Sequence, residues 1–221
     1  MREANPNYTV LSCFADICKA LGHTHRLLIL EHLAQGEHSV EALAERTQLS
    51  FANTSRHLQQ LRHAHLVASR RAGKRALYRL SDDAVVTLMS AVQVLAERQA
   101  GELERVARTY FRARDGLEPV RQTDLLARMK RAEVTLLDVR PADEYAQGHV
   151  PGARNIPLEE LEQRLRELPA GREIVAYCRG PYCVLAYEAV ALLRRKGLEA
   201  RRLESGFPEW RAAGQPVEAA H

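Results

Sequence analysis

The chain has 221 residues, with 32 Lys+Arg, 28 Asp+Glu and 9 His. At roughly 150 residues per domain that length suits two small domains better than one. A composition of 46% hydrophobic and 27% charged residues is ordinary for a globular protein and excludes wholesale disorder. No apolar run reaches the ~20 residues that span a bilayer. MREANPNYTV lacks a secretory apolar stretch, and four Cys in such a chain read as reduced thiols. A soluble, cytoplasmic protein with no membrane association is expected.

The formal net charge of +4 is unevenly placed. Residues 1–115 hold 16 basic and 12 acidic side chains, whereas residues 116–221 hold 16 of each. Between Arg46 and Ser81 there are eight Lys/Arg and no Asp or Glu, with His57, His63 and His65 in the same stretch. An acid-free window of that size points to a polyanionic partner.

In chain order, Leu27, Leu28, Leu30 and Leu33 share one face of a helix starting near His25, and Gly36 stops it. Ser39 caps a second helix with Val40, Leu43 and Ala44 inward. After a short turn, Ser50 caps a third, over 51 to about 64, with Phe51, Thr54, Leu58 and Leu61 inward. Strand-like runs Leu66–Arg71 and Arg75–Leu80 form a hairpin across Gly73. Ser81-Asp82-Asp83 opens a helix of about thirty residues with an apolar stripe of Val85, Leu88, Met89, Val92, Leu103, Val106 and Tyr110. A helix that long predicts packing against a second subunit. A linker is expected around Asp115–Pro119. Beyond it, apolar runs Val134–Val139 and Ile174–Cys178 alternate with helical segments Leu158–Leu168 and Cys183–Lys196. That alternation argues for a parallel sheet flanked by helices. The division expected is therefore 1–115, mainly α with a β-hairpin wing, and 116–221, α/β.

Two short helices, a tight turn and a basic hairpin match a winged helix-turn-helix. The third helix leaves Asn53, Ser55, Arg56, His57, Gln59, Gln60 and Arg62 facing outward for double-stranded DNA, and Arg70, Arg71, Lys74 and Arg75 on the hairpin suit phosphates. The segment LSFANTSRHLQQLRHAHLV resembles the recognition region of ArsR-type repressors. That resemblance covers roughly residues 12–100. It implies a homodimer built from the first and last helices, operator contacts from Ser55 and His57, and release of DNA by an inducer. Three departures stand out. Phe51 and Ala52 replace residues that are often polar. His65 replaces a Gly and is expected in the left-handed conformation. The helix before the turn, Val-Glu-Ala-Leu-Ala-Glu-Arg, has no thiol, and the last helix has no His. The family's usual metal sites are thus disfavoured, and no metal or cofactor is expected. Cys13 and Cys18 lie about 140° apart on a helix and read as core or interface residues. His23, His25 and His32 read as polar helix-face residues.

The other dense constellation is IVAYCRGPYCVLAYEAVALL. An apolar strand ends at Cys178, the loop Arg179-Gly180-Pro181-Tyr182-Cys183 follows, and a helix begins, which is where parallel sheets place ligands. Converging backbone N–H groups and Arg179 predict a readily ionised Cys178. Gly180 is expected to relieve crowding and Pro181 to stiffen the loop. With Leu137–Arg140, Glu144-Tyr145, Gly148–Pro157 and Gly206–Trp210, this half resembles the rhodanese sulfurtransferases from about Glu118 to Glu218. The resemblance implies that Cys178 is a nucleophile that takes sulfane sulfur from a donor and passes it, as a persulfide, to a thiol acceptor. The six-residue loop suits sulfur, since related phosphatase loops are one residue longer. Cys183 is either a resolving thiol or an inert buried one. Asp138, Arg140, Glu144 and His149 read as scaffold behind the loop. Three functions remain open: a repressor that senses or transfers sulfane sulfur, a sulfurtransferase using the winged helix as a dimer or targeting module, and a regulator responding to arsenite through Cys178 and Cys183.

Overall fold

The computed structural model describes residues 6–99, 101, 119–169 and 171–219. The chain divides into two compact units, Met1–Val85 and Val86–His221. The predicted linker segment 115–118 and the stripe residues Leu103, Val106 and Tyr110 lie outside the described residues.

In the first unit, α1 (Pro6–Leu21) precedes α2 (Thr24–Leu33), whose N-cap is His23. A two-residue strand, β1 (His38–Ser39), leads into α3 (Val40–Thr47). The Ser39 hydroxyl accepts from Ala42 N at 3.3 Å, the cap expected from its side chain. Gln48, at φ 56°, turns the chain left-handed after α3. Ser50 then caps α4 (Phe51–His63) by accepting from Asn53 N. The hairpin β2 (Val67–Ala72) and β3 (Arg75–Leu80) turns at Gly73, φ 59°, and β3 also pairs with β1. His65 has φ 56°, the left-handed geometry expected where a Gly is usual. Ile29, Leu30, Leu33, Leu43, Leu58 and Leu61 form the buried core. Helix α5 (Ala84–Gln99), which begins at the boundary of the two units and belongs from Val86 onward to the second, opens where Asp82 Oδ1 accepts from Ala84 N. This is the mainly α, winged helix-turn-helix arrangement.

In the second unit a parallel sheet has the order β5-β4-β6-β7, formed by β4 (Val134–Asp138), β5 (Arg154–Asn155), β6 (Glu173–Tyr177) and β7 (Ala200–Arg202). Helices α6 (Gln122–Lys130), α7 (Ala142–Gln147), α8 (Leu158–Leu161), α9 (Val184–Arg195) and α10 (Phe207–Ala212) accompany it. Successive strand side chains point to opposite faces. Ile174 and Ala176 therefore pack with Ala186, Ala189 and Val190 of α9, while Val175 and Tyr177 pack with Leu125, Phe207 and Trp210 on the other face. Gly197, φ 81°, ends the segment after α9.

The ends of this unit are tied down. Val120 bridges Leu203 in parallel. Trp210 Nε1 donates to Pro216 O at 2.8 Å, and His149 and Glu218 exchange both backbone bonds, at 2.7 and 3.0 Å. Among the described residues no helix is long and apolar enough to cross a membrane.

Candidate functional site

Cys178 follows β6 by one residue. The alternation that points Ile174 and Ala176 at α9 sends Cys178 the same way, into that apolar cluster, where it is 2% exposed. The loop then turns, with Cys183 N donating to Gly180 O at 3.1 Å, and α9 starts at Val184. Cys178 Sγ lies 3.5 Å from the carbonyl oxygen of Cys183 and 3.8 Å from that of Gly180.

The electrostatics differ from the sequence expectation of a readily ionised Cys178. Burial pushes the Cys178 thiol well up, and its interaction with Cys183 pushes the same way. The backbone N–H groups of Gly180 and Ala186 favour the thiolate but are outweighed. Cys183 moves the other way: the Cys178 thiol hydrogen-bonds to it and holds its pKa down, against its own burial. Backbone N–H groups of Arg179 and Leu185 contribute in the same direction. The two thiols thus shift in opposite directions, Cys178 up and Cys183 down. The apolar side chains of α9 desolvate the sulfur and outweigh the loop amides.

Arg179 is not a free charge beside the thiol. Its guanidinium grips the fully buried Glu144 with Nε at 3.1 and 3.0 Å and Nη2 at 2.6 Å. This ties the loop to α7. Behind it, Arg140 and Asp138 form a fully buried pair, Nη2 to Oδ2 2.6 Å, and Arg140 also donates to Gly148 O. His149 stacks on Tyr145 with ring centroids 3.7 Å apart. Pro181 O accepts from the Tyr187 hydroxyl. The four residues read as scaffold thus lie where scaffold residues would.

The crowding expected at Gly180 sits at Gly206 instead. A Cβ on Gly180 would come no closer than 3.7 Å to Glu209 Oε1. A Cβ on Gly206 would lie 2.3 Å from Gly180 N and 2.5 Å from Arg179 C. Gly206 N donates to Glu209 Oε2, and Phe207 N donates to Cys178 O. The start of α10 thus presses backbone to backbone against the loop.

In the first unit α4 presents Asn53, Arg56, Gln59, Gln60 and Arg62 as exposed side chains, with Ser55 half-buried. Thr54, Leu58 and Leu61 are buried as expected, but Phe51 is 55% exposed. As the first residue of α4, Phe51 has no preceding turn to cover it. His57 is half-buried, with its ring 4.7 Å from that of His23 and 5.6 Å from that of His25. Burial and the nearby His23, His25 and Arg26 lower its pKa. On the hairpin Arg71, Lys74 and Arg75 are exposed, whereas Arg70 holds Glu37 in a bidentate pair at 2.5–3.1 Å. The acid-free window conceals that pairing because Glu37 precedes it.

Cys13 and Cys18 are exposed on α1, which removes the core reading for both. Tyr8, Val10, Leu11 and Phe14 of the same helix are exposed at 49–74%, and Val92, Val94 and Leu95 of α5 at 43–56%.

Both units are similar to known proteins. The family described as "Bacterial regulatory protein, arsR family" matches residues 23–69, and the rhodanese-like domain matches residues 121–213. An HTH-type transcriptional regulator of Mycobacterium tuberculosis is 44% identical over 98% of this chain and 95% of its own length. A sulfurtransferase of Allochromatium vinosum is 34% identical over 39% of this chain and 80% of its own. A solved homodimeric winged helix-turn-helix DNA-binding domain from Mycobacterium bovis is 36% identical and covers 46% of this chain and 94% of its own, with a TM-score of 0.42.

Proposed function

The chain belongs to the ArsR family of transcriptional regulators and carries a rhodanese-like domain, and from that premise we propose that it is a dimeric repressor whose hold on operator DNA is set by sulfane sulfur on Cys178. In this reading residues 1–115 bind DNA and dimerise, and residues 116–221 read sulfur. The observation that carries it is the thiol pair: Cys178 closes a central strand beside Cys183, in a loop pinned by Glu144 and Gly206.

The chemistry balances without a cofactor. The Cys178 thiolate attacks the outer sulfur of a persulfide R–S–SH; the S–S bond breaks, RS⁻ leaves, and Cys178–S–SH remains. Attack by the Cys183 thiolate on the inner sulfur then forms a Cys178–Cys183 disulfide and expels HS⁻. Burial of Cys178 lowers its thiolate fraction and so slows the first step.

Gel-shift titration on DNA upstream of the protein's own coding sequence, with and without polysulfide, tests the proposal. Wild type should release DNA on polysulfide treatment and Cys178→Ser should stay bound. An identical response of the two proteins sinks it.

The DNA contacts proposed are Asn53, Ser55, Arg56 and Gln60 for α4 and Arg71, Lys74 and Arg75 for the wing, with His57 and Arg70 engaged within the protein in the free state. Lys74→Gln with Arg75→Gln removes two wing charges from each of two subunits and should reduce the magnitude of the slope of log K against log salt by roughly 3–4. An unchanged slope would remove the wing from the interface.

The exposed apolar faces of α1 and α5 are proposed to be covered by a second copy. Phe14→Glu with Leu11→Glu should therefore sediment as a monomer and lose operator affinity together. A variant that stays dimeric would place the interface elsewhere.

A further inference from the structure

Three imidazoles that are distant in sequence meet in the first unit. His23 caps α2, His25 stands in its first turn, and His57 lies midway along α4. The rings are 4.7, 5.2 and 5.6 Å apart by centroid, and one ligating nitrogen from each lies within 4.8 Å of the others. His57 Nδ1 is buried and has no hydrogen-bond partner among the described residues. The Gln60 side chain, whose Oε1 accepts from Arg26 at 2.8 Å, also acts on the His57 ring.

We propose that His23, His25 and His57 form a binding site for one divalent late first-row transition ion, zinc in the first instance, with an open fourth position for water. Three imidazoles without a thiolate suit Zn(II), Co(II), Ni(II) or Cu(II), and not Ca(II) or Mg(II), which prefer oxygen. Zn–N bonds of about 2.0–2.1 Å place tetrahedral donors roughly 3.3 Å apart. The nitrogens, within 4.8 Å of one another, must therefore close by up to about 1.5 Å, which rotation of the exposed His23 and His25 side chains can supply.

Binding has an identifiable local cost. His23 Nδ1 accepts from His25 N at 3.2 Å. A neutral imidazole has one lone pair, so coordination through either nitrogen removes that acceptor. Losing that N-cap bond loosens the start of α2. The Arg26 guanidinium disfavours a cation nearby, although it donates to the carbonyl oxygens of Lys19 and Ala20 as well as to Gln60. The site is thus expected to bind more weakly than a closed four-ligand centre. An ion held there would fasten the start of α2 to the middle of α4 and take His57 out of reach of DNA.

No spacing in the sequence marks this site. Thirty-odd residues separate His25 from His57, and only the packing of α2 on α4 joins them.

Co(II) titration of the full-length protein tests the site by its visible ligand-field bands. Wild type should take up one equivalent per chain, show no intense thiolate-to-metal band in the near ultraviolet, and surrender the ion to Zn(II). His25→Gln with His57→Asn should weaken this uptake at least tenfold while circular dichroism stays native. His25→Gln alone, at an exposed position, should weaken it without risk to the fold. Cys178→Ser with Cys183→Ser should leave it unchanged. Undiminished uptake in folded His variants, a thiolate band that disappears with the Cys pair, or no saturable uptake by wild type would each overturn the proposal.

Discussion

Replacing Cys178 with Ser is expected to lower sulfur uptake from thiosulfate or polysulfide by roughly a thousandfold or more, because the attacking atom is removed. Mass spectrometry of the intact chain reads this as loss of the added sulfur. The pH profile carries more information. Burial, then Cys183, raises the Cys178 thiol, so its thiolate fraction grows only at pH values above the usual range. Wild-type uptake should keep rising with pH where an ordinary thiol, pKa about 8.5, has levelled off. Cys183→Ser removes the acidic neighbour that helps hold the proton on Cys178, so the whole profile should move to lower pH. It should also prevent the internal disulfide, leaving the persulfide as the end product. A Cys183→Ser profile that superimposes on wild type would show that burial alone sets the Cys178 proton and that the second sulfur is inert.

The second large effect is at Gly206. A methyl group there would lie 2.3 Å from Gly180 N and 2.5 Å from Arg179 C. Both are backbone atoms of a loop already held by Arg179 on Glu144, so neither can swing aside as a flexible side-chain tip would. Gly206→Ala should cost on the order of 3 kcal/mol, a fall in Tm of roughly 10–20 °C for a domain of about 100 residues, and should abolish sulfur loading. Gly180→Ala, with its Cβ at ordinary contact distance from Glu209 Oε1, should stay within about 1 kcal/mol of wild type. Thermal denaturation of the two variants side by side checks the contrast. Equal stability would show that α10 yields where the loop does not.

What the sequence made legible follows from the range of each interaction. Caps, turns and strand alternation are local, so Ser39, Ser50 and the two apolar strands could be read from neighbours in the chain, whereas the left-handed His65 followed from the family resemblance. The pairing of Arg70 with Glu37 and the meeting of His25 with His57 are tertiary. No pattern of spacing encodes them. Cys178 is the instructive case. Its position at the end of a strand is written in the local sequence, whereas its acidity depends on Ala186, Ala189 and Val190 closing over it from the following helix. Gly180 and Gly206 make the same point, since the crowding was expected at the glycine inside the loop and lies at the one that meets it from 26 residues away.

The tie between His149 and Glu218 and that between Trp210 and Pro216 bear on how the sulfur-reading half can be excised. The matched family segment stops at residue 213. A recombinant fragment cut there would leave the Trp210 indole N–H and the His149 backbone pair without their partners. It would also remove Val217 from against Gly148. A fragment begun at 121 would lose the strand-like Val120 contact on Leu203. Expression boundaries drawn at 119 and 219 keep both clasps, and an affinity tag belongs beyond them.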